Sequence, residues 1–225
     1  MKIKAAVFDL DGTLLDSLND IADSMNAALR RKGLPEHPVI DYKYHVGDGM
    51  AILAQRVLPT DQQSDANIAE LVGLMREEYG VRWAHQTRPY DGIPELLDEL
   101  VRRDIKLAVV SNKPHDFSRQ ITLKLLAPWT FDPIIGSRHG IANKPDPAGA
   151  IEAATVLKLE PTECVFIGDT YADMRTAVGA GMLPVGVLWG FREAQELLDS
   201  GAQFLIRHPM ELLGILDGSV SNVKN

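Results

Sequence analysis

The stretch Val7-Phe8-Asp9-Leu10-Asp11-Gly12-Thr13 decides the reading of the fold. An apolar run from Ala5 to Phe8 carries the chain into two carboxylates one residue apart, then a glycine, then a hydroxyl. Alternate residues of an extended chain share a face, so Asp9 and Asp11 both look beyond the strand end. Two close carboxylates repel, and a shared proton or a bound cation relieves them. A hard divalent ion such as Mg²⁺ takes carboxylate and carbonyl oxygens in this setting. Gly12 lets the backbone turn sharply, and the amides from Asp11 to Thr13 can face an anion. A plain turn after a strand accounts for Asp and Gly too. An EF-hand does not fit, because the glycine comes too early and no helix precedes the acids.

Composition narrows the partners. The chain has 225 residues, 45% hydrophobic and 24% charged, enough for one large domain or two smaller ones. A net charge of −8 argues against nucleic acid and anionic membrane as partners, leaving small molecules. No apolar run is long enough to span a bilayer, and no signal-peptide segment opens the chain. Cys164 is the single cysteine and sits in an apolar run, so it reads as a buried strand residue of a protein in the reducing cytoplasm.

After the first strand, Ser17 is placed to cap a helix whose apolar positions Leu18, Ile21, Ala22, Met25 and Leu29 recur at helical spacing, with Gly33 and Pro35 ending it. Helices are expected over 50–58 and 68–79, and no strand from the end of that first helix to about residue 87. From Pro89-Tyr90-Asp91-Gly92 the pattern becomes a regular alternation. Strands are expected over 107–110, 134–135, 165–167, 185–188 and 204–206. Helices are expected over 93–101, 116–125, 148–157, 173–180, 193–198 and 210–216, and the tail after Asp217 reads as loose. The predicted fold is α/β: a doubly wound, mostly parallel Rossmann-like sheet with an all-α insertion. Its core comprises residues 1–16 and 88–225, and its insert residues 17–87. Ligands bind such sheets beyond the carboxyl ends of the strands. Asp9 and Asp11, Ser111-Asn112-Lys113, and Gly168-Asp169 all fall at predicted strand ends, and Lys144 precedes a helix facing the same crevice.

Asp9, Asp11, Ser111, Lys144 and Asp169, in that order around a helical insert, resemble the four motifs of the haloacid dehalogenase superfamily. Asp173, four residues after Asp169, resembles the second acid of its fourth motif, Lys144-Pro145 its third, and the insert its type 1 helical cap. A closer likeness is to phosphoglycolate phosphatases. It is carried by Asp11-Gly12-Thr13-Leu14-Leu15-Asp16-Ser17, Val46-Gly47-Asp48-Gly49 with Leu53 and Arg56, Pro89-Tyr90-Asp91-Gly92, Asn112-Lys113-Pro114, and Gly186-Val187-Leu188-Trp189-Gly190-Phe191. Ser137-Arg138-His139 departs from it, being basic where such relatives tend to be acidic.

The resemblance implies a Mg²⁺-dependent phosphatase of a small phosphorylated metabolite, phosphoglycolate first, as a monomer or homodimer. It implies Asp9 as nucleophile, Asp11 as general acid and base, and Mg²⁺ on Asp9, the Asp11 carbonyl and Asp169. Asp173 would support that shell and Thr13 fix the loop, while Ser111, the Asn112 amide and Lys144 bind phosphate. Arg56 reads equally as a partner for a substrate carboxylate or as a surface residue. Two alternatives are a phosphomutase of the β-phosphoglucomutase type and a non-catalytic phosphometabolite-binding protein. Thr13-Leu14-Leu15 favours hydrolysis over the first, and the unbroken motifs disfavour the second.

Overall fold

The computed structural model describes residues 2–220. In chain order the elements begin with β1 (Ala5–Phe8), β2 (Leu15–Asp16) and four helices, α1 (Leu18–Arg31), α2 (Tyr42–His45), α3 (Met50–Val57) and α4 (Asp65–Arg82). They continue through β3 (Arg88–Pro89), α5 (Ile93–Arg102), β4 (Lys106–Pro114), α6 (His115–Leu125), β5 (Phe131–Ser137) and α7 (Ala148–Leu157). The last are β6 (Cys164–Gly168), α8 (Tyr171–Ala180), β7 (Leu183–Val187), α9 (Ala194–Asp199), β8 (Phe204–Ile206) and α10 (Glu211–Leu216). The expected loose tail lies mostly outside the described residues.

Six strands form one sheet in the order β5-β4-β1-β6-β7-β8, every pairing parallel. The sheet grows outward from β1 on one side through β4 and β5, then restarts on the other side at β6, so the winding reverses beside β1. All four residues of β1 are buried, as a central strand covered on both faces requires. Ala5 and Val7 pack with Ala150, Ala153, Leu157 and Ala177 of α7 and α8. Ala6 and Phe8 belong to the opposite cluster, with Leu96, Leu100 and Ile121 of α5 and α6. Small alanines on α7 let that helix lie close to the sheet.

The helical segment α1 to α4 leaves and returns through one narrow ribbon, β2 paired antiparallel with β3, Leu15 opposite Pro89 and Asp16 opposite Arg88. Its helices differ from the expected ones mainly at their ends. The α4 helix starts at Asp65, where the Ser64 hydroxyl accepts from Asn67 N, and it runs on to Arg82. The short α2 went unpredicted, because four residues are too few to show a helical period. Ser17 makes no side-chain cap to α1 and donates instead to Asp11 Oδ1 at 2.6 Å. The hydroxyl that the sequence assigned to a helix end thus points into the strand-end crevice. A buried Asp20 on α1 accepts from Gln86 N, Thr87 N and Thr87 Oγ1 at 2.6–3.0 Å, tying the returning chain to the first helix of the insert. Cys164 is a free, buried strand residue, and burial pushes its thiol up to about 11.

Candidate active site

The carboxyl ends of β1, β4 and β6 converge, and a loop before α7 adds a lysine. Asp9 follows β1, Ser111 to Lys113 lie within β4, and Asp169 follows β6. Asp9, Asp169 and Asp173 are buried, and one carboxylate oxygen from each lies within 4.8 Å of the other two. Lys144 Nζ enters this group. It donates to Asp173 Oδ1 at 2.6 Å and stands 2.8 Å from Asp9 Oδ1, an ion pair without hydrogen-bond angles.

Asp169 is aimed by two donors, Thr13 Oγ1 on Oδ1 at 2.9 Å and Phe191 N on Oδ2 at 2.8 Å. Asp173 Oδ2 accepts from Thr170 N and Thr170 Oγ1 as part of a capping box that begins α8. Asp173 is thereby locked while it holds Lys144.

Three carboxylates face one ammonium here, and ionisation of all three would leave an excess of two negative charges, the complement of a divalent cation. Burial pushes the Asp9 carboxyl up to about 6 despite the opposing pull of Lys144. Burial also raises Asp169 well above the ordinary carboxylate range, with Asp173 and Asp9 adding repulsion. Oxygen-only donors, buried and short of positive charge, fit a hard divalent ion. Gly12 and Gly190 make room for these acids. A Cβ on Gly12, whose φ is +88°, would lie 2.4 Å from Asp169 Oδ2, and one on Gly190 2.3 Å from Asp169 Cβ.

Asp11 stands apart from that cluster. Its carboxylate is held by Lys113 Nζ at 3.0 and 2.8 Å and by Ser17 Oγ. The hydrogen bonds Gly12 N to Leu15 O and Leu15 N to Leu10 O close the loop around the Asp11 carbonyl group. The Asn112 side chain is fully engaged: Oδ1 accepts from Lys144 N at 2.8 Å, and Nδ2 donates to Lys144 O and Gly47 O. It braces the lysine loop and the insert. Ser111 Oγ accepts from Lys113 N and lines the same cavity as Asp9, Asp11 and Asn112.

That cavity holds about 530 Å³ of atom-free space, its open mouth included. The insert lids it with Ile21, Val46, Met50, Leu53, Met75 and Tyr79. Its loop before α3 is tied down by Arg192, which donates to Val46 O at 2.9 Å and to Lys43 O, and by Tyr171 OH on Asp48 Oδ1 at 2.6 Å. Arg56 is turned away from the cavity onto Asp48 Oδ2 and His45 O.

The eight residues singled out for the site, Asp9, Asp11, Thr13, Ser111, Asn112, Lys144, Asp169 and Asp173, are joined by three that sequence reasoning left without a role, Lys113, Tyr79 and Arg192. Lys113 was legible, since it lies two residues after Ser111 on a strand and so shares its face. Tyr79 and Arg192 were not, because each acts across a long separation in sequence.

The family model for haloacid dehalogenase-like hydrolase matches residues 3–181. The chain belongs to the haloacid dehalogenase-like hydrolases. This hydrolase is 31% identical over 218 residues to the phosphoglycolate phosphatase of Aquifex aeolicus, covering 97% of this chain and 99% of that one. It is equally 31% identical, over 221 residues and 96% of each chain, to the N-acetylmuramic acid 6-phosphate phosphatase of Pseudomonas aeruginosa. A crystal structure from Lactobacillus delbrueckii subsp. bulgaricus, of a phosphoglycolate phosphatase by prediction, superposes with a TM-score of 0.90 at 29% identity, covering 96% of this chain and 99% of that one. No helix among the described residues is long and apolar enough to cross a membrane.

Proposed function

We propose that this hydrolase is a Mg²⁺-dependent phosphatase of small phosphomonoesters that works through an aspartyl-phosphate on Asp9, with phosphoglycolate as its first substrate. The observation that carries the reading is the buried cluster of Asp9, Asp169, Asp173 and Lys144 at the mouth of the sheet, beside a separately paired Asp11. The relatives support a phosphomonoester, and phosphoglycolate is the substrate named by the Aquifex relative.

In this reading Asp9 attacks phosphorus in line. Asp11 gives a proton to the leaving oxygen and later takes one from the water that hydrolyses the intermediate. Ser111 Oγ and the Asn112 amide hold phosphoryl oxygens, and Lys144 offsets charge on the nucleophile and the phosphoryl group. Asp9, the Asp11 carbonyl and Asp169 would hold Mg²⁺, with Asp173 and Thr13 keeping Lys144 and Asp169 in place. When bound, the ion neutralises carboxylate and phosphate so that one anion can approach another. Residues 17–87 act as the cap that excludes water and meets the organic part of the substrate.

The test is phosphate release from a panel of small phosphomonoesters with Mg²⁺, comparing wild type with Asp9→Asn at matched folded concentration. Turnover by the wild type and its loss in Asp9→Asn is the expected result. A folded, metal-binding wild type that turns over none of the panel would end the hydrolase reading.

A further inference from the structure

Lys113 is the only cationic side chain, among the described residues, that lines the cavity beneath the insert. Everything the insert's side chains contribute there is aliphatic, thioether or aromatic. Arg56, the other cation that sequence reasoning considered, is committed elsewhere. An anionic group on the organic end of a substrate therefore has one place to go. An unpaired carboxylate set against Met50, Leu53 and Met75 would lose its hydration with nothing in return.

The ammonium is built for a second acceptor. Its side chain is 4% exposed, and both short contacts go to the two oxygens of a single carboxylate, Asp11. A lysine has three hydrogens to give. On its other side Nζ lies over the Tyr79 ring, 4.5 Å from the centroid. The Tyr79 hydroxyl is buried without a hydrogen-bond partner of proper geometry, so an acceptor bound at Lys113 would give that hydroxyl one too.

We infer that Lys113 is the specificity-determining residue that binds the carboxylate of the substrate's organic part, with Tyr79 closing over it from the insert. The inference rests on the phosphatase reading above and deepens it, naming carboxylate-bearing phosphomonoesters as the preferred class. Asp11 and the substrate carboxylate then share one ammonium, which places the organic acid next to the group that protonates the leaving oxygen.

The experiment compares phosphoglycolate with 2-hydroxyethyl phosphate, which replaces the carboxylate by an uncharged alcohol at nearly the same size. Both are assayed with Mg²⁺ on wild type, Lys113→Met and Lys113→Gln. Any effect transmitted through Asp11 lowers kcat/KM for both esters alike, so the ratio between them isolates the carboxylate contact. We expect the wild type to favour phosphoglycolate and the ratio to fall by roughly 10- to 100-fold in either variant, the range for losing a hydrogen bond to a charged group. The glutamine keeps a donor beside Asp11 and preserves a folded variant if methionine does not. A ratio unchanged in the variants, or a wild type that hydrolyses 2-hydroxyethyl phosphate as well as phosphoglycolate, overturns the inference while the phosphatase reading stands. A wild type that hydrolyses neither ester but turns over other phosphomonoesters of the panel overturns the inference while the phosphatase reading stands, and one that turns over none of the panel overturns both.

Discussion

Gly190→Ala adds one carbon at the point where the chain presses on the acid cluster. Gly190 is not among the residues with positive φ, so its backbone accepts alanine, and only the contacts oppose it. The new Cβ would stand 2.3 Å from Asp169 Cβ, 2.5 Å from Gly12 O and 2.6 Å from Asp169 Cγ. Ordinary contact needs separations of roughly 3.5 Å, so Asp169 or the Gly12 loop must retreat by roughly 1 Å. Neither is a flexible side-chain tip. Asp169 is pinned by Thr13 and Phe191, and Gly12 sits in the loop that carries Asp11. Overpacking of this kind costs about 1–3 kcal/mol, or a Tm lower by roughly 2–12 °C for a chain of this size. A misplacement of about 1 Å costs roughly 100-fold in rate. Thermal melts and phosphate release across a Mg²⁺ titration read both effects, with a raised half-saturating Mg²⁺ concentration as the specific sign. Gly80→Ala is the control: it lies in α4 with nothing within 4 Å of its Cβ, and it should stabilise by about 0.5–1 kcal/mol without touching activity. Wild-type kcat/KM, Mg²⁺ dependence and Tm in Gly190→Ala would refute the packing argument.

Other outcomes follow from the same geometry. Asp20→Ala strips the acceptor from Gln86 N, Thr87 N and Thr87 Oγ1 and should cost about 2–4 kcal/mol, seen as a lower urea midpoint. Without metal, Asp9 takes up its proton near pH 6 in the fold but near 3.8 unfolded, so the native state binds more protons in that window and this group's contribution to stability falls as pH rises through it. The rise in Tm on adding Mg²⁺ should consequently be larger at pH 7.5 than at pH 5, and Asp9→Asn should flatten the pH dependence of the metal-free protein. Arg192→Met removes the donors to Lys43 O and Val46 O and should raise KM roughly tenfold with a smaller effect on kcat, together with faster amide exchange over residues 43–49. Unchanged exchange would show that Arg192 does not hold the insert down.

Much of the core was legible because local physics specifies it. Apolar runs without alternation read as strands covered on both faces, and polar residues at their carboxyl ends pointed to the crevice where the structure brings Asp9, Ser111 and Asp169 together. The sequence was less informative where an element is short or where a polar side chain has several partners within reach. Ser17 illustrates this: its position after a strand and before a helix favours a cap, yet its hydroxyl donates to Asp11 and makes no cap to the helix.

The motif residues Asp9, Asp11, Ser111, Lys144 and Asp169 were determined by the sequence alone, since each is a chemical group at a strand end or loop whose place the α/β alternation sets. Their charge relations were decided only by tertiary structure. Lys144 balances Asp9 and Asp173, Lys113 balances Asp11, and Arg192 reaches the insert, across separations of 29 to 149 residues. Electrostatic pairing depends on distance in space, and spacing along the chain does not encode that distance until the sheet has brought its strand ends together.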